Sequence, residues 1–218
     1  MAIGNAGREM SSFNGICTFA RSSGAAARRL LRSRQGVAAI EFAFIAPVLL
    51  ILYFVTIEFS HAIETNKKVG RAASTIADLI TQQPTMTAGN LDAIMQIGQS
   101  SLQPYNRSTL SIYATGINIS NDPTPQVTVA WSRQMVNGSN GPDPAEKIGD
   151  ETTVPDALKI GGTFLVRVET KLDYRPIIAW TADQRQKLGL LSAFDNIDMA
   201  EHYYLRPRMS NAIPCNDC

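Results

Sequence analysis

The side chains able to carry out acid–base or nucleophilic chemistry are few in this 218-residue chain, and they are scattered. The two histidines, His61 and His202, lie in no nucleophile elbow or comparable local signature. No glycine-rich phosphate-binding loop appears, and the acidic residues are spread as on a solvated surface. The sequence therefore predicts a protein that is not an enzyme, with no catalytic residues, no cofactor and no bound metal.

Cys215 and Cys218 form a C-x-x-C pair, CNDC, and are the second candidate for chemistry. Thioredoxin-like redox chemistry places such a pair at a helix N-terminus within a βαβ unit, and no such pattern surrounds this one. A metal site would need further ligands, for which His202 is a thin candidate. We expect either a local structural disulfide between Cys215 and Cys218 or two free thiols.

Glu41 is the third candidate, because it lies inside the apolar run Val37–Phe59. Apart from Glu41 and Glu58 the run has no charge, and as a helix it would reach roughly 34 Å, enough to cross a hydrocarbon core of about 30 Å. A carboxylate costs about 2.5–3.5 kcal/mol at the centre of a membrane helix and less near an interface. Glu41 therefore either has a partner or lies at headgroup depth.

The charges flanking this run are unequal. Residues 1–36 hold six of the 20 basic residues and one of the 19 acidic ones, so 14 basic and 18 acidic residues remain. By the positive-inside rule the N-terminus stays in the cytoplasm and residues after Phe59 are exported. Nucleic-acid binding by the arginines is disfavoured, because neither aromatic residues nor a folded module accompany them. An ordinary signal peptide is disfavoured by the length of the apolar run.

The junction between the basic leader and the apolar run resembles a type IV prepilin processing site. Gly36 is followed by Val37, Glu41 is the fifth residue after the glycine, and Phe42 comes next. The resemblance implies that a membrane peptidase cuts after Gly36 and frees the Val37 amine. It further implies that Glu41 pairs with that amine on a neighbouring subunit, in keeping with the attraction of a helix N-terminus for an anion.

A longer stretch, RSRQGVAAIEFAFIAPVLLILYFVTIEFSHAIETNKKVGRAAS, resembles the N-terminal module of TadE-like proteins, the minor pseudopilins of tight-adherence (Flp-type) pilus systems. The matching features are the arginines before Gly36, the AAIEFA block around Glu41, Pro47 followed by leucines, Glu58-Phe59, and an N-x-x-x-x-x-A-A pattern at Asn66–Ala73. The resemblance implies the bacterial inner membrane, a prepilin peptidase, other pilins or pseudopilins and the pilus assembly machinery as partners, and no nucleic acid.

The helix is predicted to continue beyond the membrane to about Gln82, before Pro84. Apolar residues recur there at spacings of three and four, and the stripe is expected to pack on the following domain rather than on another subunit. The stripe consists of Val69, Ala72, Ala73, Ile76, Leu79 and Ile80. Pro47 is expected to kink the helix, with or without a role in packing against partner helices.

The rest of the chain is predicted to combine a short helix with three strands. The helix has Thr87 or Asn90 as its cap and ends near Pro104. Alternating patterns predict the strands at Leu110–Ile119, Gln126–Arg133 and Thr163–Tyr174. We expect Asn137–Asp150 to be an exposed loop and Leu188–Phe194 a short helix. Arg206 and Arg208 in the tail are expected to pair with acids of the same domain.

The predicted fold is α+β, a pilin-like plan in which a long N-terminal transmembrane helix continues into an exported domain with a small antiparallel sheet. Its parts are a basic cytoplasmic leader that is removed (1–36), a transmembrane helix (37–59), the helix continuation (60–82) and an exported domain (85–218). The first interpretation is a pseudopilin-like protein of the inner membrane, with its C-terminal domain in the periplasm. The alternatives are an uncleaved, single-pass periplasmic binding module and a membrane-tethered redox enzyme using Cys215 and Cys218.

Overall fold

The computed structural model describes residues 34–176 and 197–218, with side chains from Val37 onward. A boundary between Thr56 and Ile57 separates two compact units, and we call residues 57–218 the sheet domain. Predictions for the leader 1–33 and for a helix at Leu188–Phe194 lie outside the described residues. The long helix, the short helix and an antiparallel sheet are all present, so the predicted α+β plan is confirmed.

Helix α1 comprises Arg34–Thr81, 48 residues, and continues through Pro47. Its predicted continuation beyond Phe59 is therefore confirmed. Within the sheet domain one face of α1 is buried at spacings of three and four, as expected for a helix packed on a sheet. The fully buried apolar positions of this face are Val69, Ala72, Ala73, Ile76, Ala77 and Ile80.

Helix α2 comprises Ala88–Ser100 and begins at the predicted cap, because the Thr87 hydroxyl accepts a hydrogen bond from the Asn90 amide at 3.3 Å. The helix packs closely on α1 at Gly98. A Cβ added to Gly98 would lie 2.2 Å from Cδ1 of the buried Ile76. The missing side chain therefore allows the two helices to approach.

The sheet has five described strands in the order β3-β2-β1-β4-β5, and all pairs are antiparallel. The strands are β1 (Ser111–Ile119), β2 (Val127–Val136), β3 (Ser139–Gly141), β4 (Phe164–Tyr174) and β5 (Ile197–Leu205). Three of them are the predicted strands, with β2 extending three residues further than expected. A bulge at Gly116 and Ile117 shifts the register of β1 against β2.

Two strands were not predicted. β3 returns from β2 through Asn137 and Gly138, whose φ angles of 52° and 75° are those of a type I′ hairpin turn. The expectation of an exposed loop at Asn137–Asp150 is therefore wrong in part, and the segment also buries Asp143. β5 lies at the other edge of the sheet, beside β4.

The sheet buries both of its faces, but differently. The face toward α1 and α2 carries the main core, including Trp131, Val166 and Val168. The opposite face has a smaller apolar cluster of Ile117, Ile119, Val127 and Leu165, covered by Val154 and Leu158. The segment between β3 and β4 therefore acts as a lid on the second face.

Candidate functional site

The first part of α1 presents apolar side chains in all directions. The large apolar residues from Val37 to Phe54 are 42–75% exposed. Among the described residues α1 is the one helix long and apolar enough to cross a membrane, and its most apolar window is not buried at all. A helix that is apolar all round and uncovered by its own chain matches a lipid environment. The helix is therefore able to form a single membrane span.

The predicted processing residues lie near the start of this helix. Gly36 is the third residue of α1, and Val37 and Phe42 are 55% and 69% exposed. Glu41 is also exposed, and the structure records no ion pair for it among residues 37–176 and 197–218. Val37 and Glu41 are four residues apart and so share one helix face, about 6 Å apart along the axis. Cleavage after Gly36 and pairing of Glu41 stay predictions.

Glu58, at the other end of the apolar run, has a different environment. Its side chain is buried, and Tyr174 Oη, from the last residue of β4, donates a hydrogen bond to Glu58 Oε1 at 2.6 Å. Burial and the nearby Glu58 carboxylate raise the pKa of Tyr174 above its ordinary value of 10.0, so the hydroxyl stays protonated and can donate. This contact joins the start of the sheet domain to its longest strand.

Sequence reasoning identified Glu58 as the end of the apolar run and as part of a family pattern, but not as the partner of Tyr174. The contact spans 116 residues of sequence, and no local pattern encodes it. The sequence did offer one signal: an acidic residue at the end of an apolar run, if buried, needs a hydrogen-bond donor nearby. The predicted end of the strand at Tyr174 is confirmed.

Cys215 and Cys218 are joined by a disulfide, with their Cα atoms 5.7 Å apart. The loop that they close lies at the N-terminus of α2, where Asp217 Oδ1 accepts a hydrogen bond from the Ala88 amide at 2.9 Å. Just before it, the Pro214 carbonyl accepts from the Met86 amide at 2.9 Å. The pair therefore holds a cap on a helix.

The tail before this pair crosses the end of α1. Arg208 Nη2 lies 2.6 Å from Asp78 Oδ1, and the Arg208 amide donates to the Thr81 carbonyl at 2.9 Å. Trp131 Nε1 donates to the Ile213 carbonyl at 2.7 Å. The expected pairing of the tail arginines within the domain is thus present for Arg208. We call residues 206–218 the C-terminal strap.

Comparison with protein families gives a match to the model described as TadE-like protein over residues 36–78. Residues 36–78 are TadE-like. No curated protein and no solved structure matches the chain. The match confirms, for this segment, the TadE-like resemblance seen in the sequence.

The TadE-like segment comprises 43 of the 218 residues and lies entirely on α1. It includes the exposed apolar run, Glu41 and Glu58, and it ends at Asp78, the residue paired with Arg208. All five described strands and α2 lie outside it. A TadE-like helix able to span a membrane is thus combined with a sheet domain that the family match does not include.

Proposed function

We propose that this chain is a membrane-anchored, pseudopilin-like protein that acts in assembly of a Tad/Flp-type pilus and is processed after Gly36 by a prepilin peptidase. The observation that carries the proposal is the TadE-like match, which coincides with a helix whose apolar run is uncovered by its own chain. On this proposal the chain has no catalytic role, and the peptidase is a separate protein.

Glu41 is the residue that matters most after cleavage. Removing residues 1–36 makes Val37 the first residue, and its ammonium group then begins the helix. The Glu41 carboxylate of one subunit pairs with the Val37 ammonium of its neighbour, so two charges at membrane depth neutralise each other. Phe42 and the apolar residues after it pack against neighbouring helices in the same layer.

The arrangement in the cell follows from the charges. The arginines before Gly36 keep the N-terminus in the cytoplasm, where the leader is removed, and the sheet domain lies in the periplasm. The bilayer is the bacterial inner membrane. The partners are the peptidase, other pilins or pseudopilins and the assembly machinery.

The decisive experiment is the intact mass of the full-length protein recovered from membranes of cells with and without the peptidase. We expect a chain beginning at Val37 when the peptidase is present and one retaining residues 1–36 when it is absent. A Gly36→Val variant should resemble the second case, whereas Gly89→Val, at an open position on α2, should be processed normally. A chain that keeps its leader in both cells would overturn the proposal.

A second candidate is an uncleaved, single-pass periplasmic binding module. One observation favours it, a polar cleft of about 710 Å³ in the sheet domain, outside the TadE-like segment. That function would need neither cleavage after Gly36 nor the Glu41 carboxylate, so the same mass measurement separates the two.

A further inference from the structure

The polar cleft lies at the end of the sheet domain where α1 enters it. Tyr174 contacts Glu58, while Thr170 Oγ1, four residues earlier on β4, donates to the Val69 carbonyl at 3.4 Å. β4 therefore runs along α1 toward Glu58, and residues 173–175 lie at the Glu58 end. The cleft is lined by residues of that end, including Arg107, Ser108, Lys171, Asp173 and Arg175.

A hydrogen-bond network fixes the wall that carries the two arginines. Tyr105 stacks on Tyr174 with ring centroids 5.7 Å apart, and its hydroxyl lies 3.0 Å from Ser108 Oγ. Ser108 Oγ donates to the Asp173 carbonyl at 2.5 Å, and the Arg175 amide donates to Tyr105 Oη at 2.8 Å. The segment carrying Arg107 and the end of β4 carrying Arg175 are thus tied together through the half-buried Tyr105 ring and the buried Tyr174 ring.

The two guanidinium groups are weakly engaged by their own domain. Among the described residues, Arg107 has no recorded hydrogen bond or ion pair, and its Cζ lies 5.8 Å from the centroid of the Tyr105 ring. Arg175 Nε is 3.6 Å from Asp173 Oδ2, well beyond the 2.7–2.9 Å typical of a charge-assisted hydrogen bond, and its side chain is 66% exposed. Both groups keep donors available for a ligand.

The other charged residues of the cleft determine its net charge. Lys171 Nζ is held by Glu169 at 2.6 Å and lies over the Tyr113 ring, so it adds positive potential while one of its N–H donors is already engaged. Asp173 and Asp198 oppose it from the same cleft. An anion with a single charge suits this balance better than a highly charged polyanion.

We infer that Arg107 and Arg175 bind the phosphate of an anionic phospholipid headgroup from the bilayer that α1 spans. Arginine matches phosphate through paired N–H donors. Glu58, which Tyr174 contacts, belongs to the end of the apolar run, so chain connectivity alone keeps this end of the domain within reach of the headgroup layer, where clustered cations attract anionic lipid. The contact steadies the sheet domain on the membrane surface. This inference rests on the membrane placement of α1 and needs no cleavage after Gly36.

The test uses the full-length chain in nanodiscs that contain equal amounts of phosphatidylglycerol and phosphatidylcholine. Native mass spectrometry of the released protein counts the lipids that stay bound. We expect phosphatidylglycerol to be enriched by roughly fivefold per arginine. Arg107→Gln/Arg175→Gln should bring the ratio near one, while Arg71→Gln/Arg206→Gln, which removes the same charge elsewhere, should leave it unchanged.

Phosphatidylglycerol enrichment that survives in Arg107→Gln/Arg175→Gln, or that is absent from the wild-type protein, would overturn the inference. Displacement of the lipid by an excess of soluble glycerol phosphate would also overturn it, since it would indicate a site for soluble phosphate. Flotation of the same protein with lipid vesicles tests membrane placement separately. Flotation without enrichment defeats only this inference, whereas failure to float defeats the membrane anchor of the proposed function as well.

Discussion

At the scale of single residues, the two carboxylates at the ends of the apolar run have opposite surroundings. Glu58 is buried and receives the Tyr174 hydroxyl, whereas Glu41 is exposed on a helix face that its own chain leaves uncovered. A charge at membrane depth is retained only where something compensates for its desolvation. Glu58 receives a compensating hydrogen bond from Tyr174 of the same chain. For Glu41, we propose that the Val37 ammonium of a neighbouring subunit provides the compensating charge.

Glu41→Ala should therefore reduce assembly without preventing cleavage. We expect about a tenfold loss in subunits incorporated, because a charge at a partly buried helix N-terminus contributes up to about 2 kcal/mol. The measurement is the amount of processed protein that cross-links to other pilus subunits in membranes. Glu64→Ala is the matched control, since Glu64 is on the same helix and pairs with Lys68 at the surface. Equal cross-linking of wild type and Glu41→Ala would rule out the pairing role.

Tyr174→Phe should destabilise the sheet domain by about 1.5–3 kcal/mol, the usual contribution of a hydrogen bond to a charged group. It should also change the alkaline pH dependence. Because the pKa of Tyr174 is raised in the folded state, its contribution is fully present below the ordinary value of 10.0 and declines as the pH rises above it. The variant should lack that part of the decline. Thermal unfolding in detergent, with the half-buried Tyr204→Phe as control, measures both effects. Identical alkaline profiles would contradict the argument.

At the scale of elements, the sequence predicted the helices and the three central strands because their apolar periods are clean. The strand β5 was not predicted because it is an edge strand with a charged residue, Glu201, among the positions that face α1. Gly70 of α1 leaves room for the Glu201 side chain there. β3 had an available signal, since Asn-Gly between two polar-apolar stretches is the strongest short hairpin signal. The richness of the region in Gly, Asn and Pro favoured a loop instead.

The lid on the second sheet face is held by a polar cluster that no local pattern predicts. The Glu146 carboxylate accepts hydrogen bonds from Arg167, from Thr115 Oγ1 at 2.8 Å and from Thr152 Oγ1 at 3.2 Å. Its backbone carbonyl accepts from Ser132. Burial alone would raise the pKa of Glu146, but the hydrogen bonds from Arg167 and Thr115 outweigh it and lower the pKa below its ordinary 4.5.

Glu146→Gln should destabilise the domain at neutral pH by about 1–3 kcal/mol, because Arg167 loses its charged partner. A carboxyl group with a lowered pKa contributes stability above the ordinary value, and that contribution is lost as the pH falls through the folded value. The difference between wild type and Glu146→Gln should therefore shrink below pH 4.5. Urea unfolding at a series of pH values measures it, with the exposed Glu151→Gln as control. A difference independent of pH would refute this account.

The C-terminal strap is a second element whose role depends on distant contacts. Replacing both cysteines, Cys215→Ser/Cys218→Ser, should cost about 2 kcal/mol, as expected for closing a very short loop. It should also loosen the Asp217 cap on α2. Thermal unfolding of the full-length protein with and without a dithiol reductant checks this, with Cys17→Ser as control. The wild-type protein in reductant should match the double variant. A melting temperature insensitive to reductant would show that the disulfide contributes nothing.

At the scale of the whole molecule, the first part of α1 and the sheet domain have surfaces suited to different environments, lipid and water. The sheet domain buries its own core on one face of α1, while the first part of α1 buries almost nothing. The sequence could predict this division, because an uncharged run of membrane length and an amphipathic stripe are both local patterns. It could not predict the contacts that join the tail to α1 and α2, since those depend on pairing residues more than a hundred positions apart.

The membrane topology of the whole chain is proposed to depend on the positive charge of the leader, and this can be tested by changing the leader. Replacing Arg28, Arg29, Arg32 and Arg34 by glutamine removes the positive charge from the eight residues before Gly36, close to the apolar run, where the positive-inside rule acts. We expect a fraction of the chains to invert, so that the sheet domain becomes inaccessible to protease added to spheroplasts. Arg8→Gln, far upstream, should leave the domain accessible. If the four-arginine variant is digested as completely as wild type, the positive charges do not set the topology, and the assignment of the sheet domain to the periplasm loses its support.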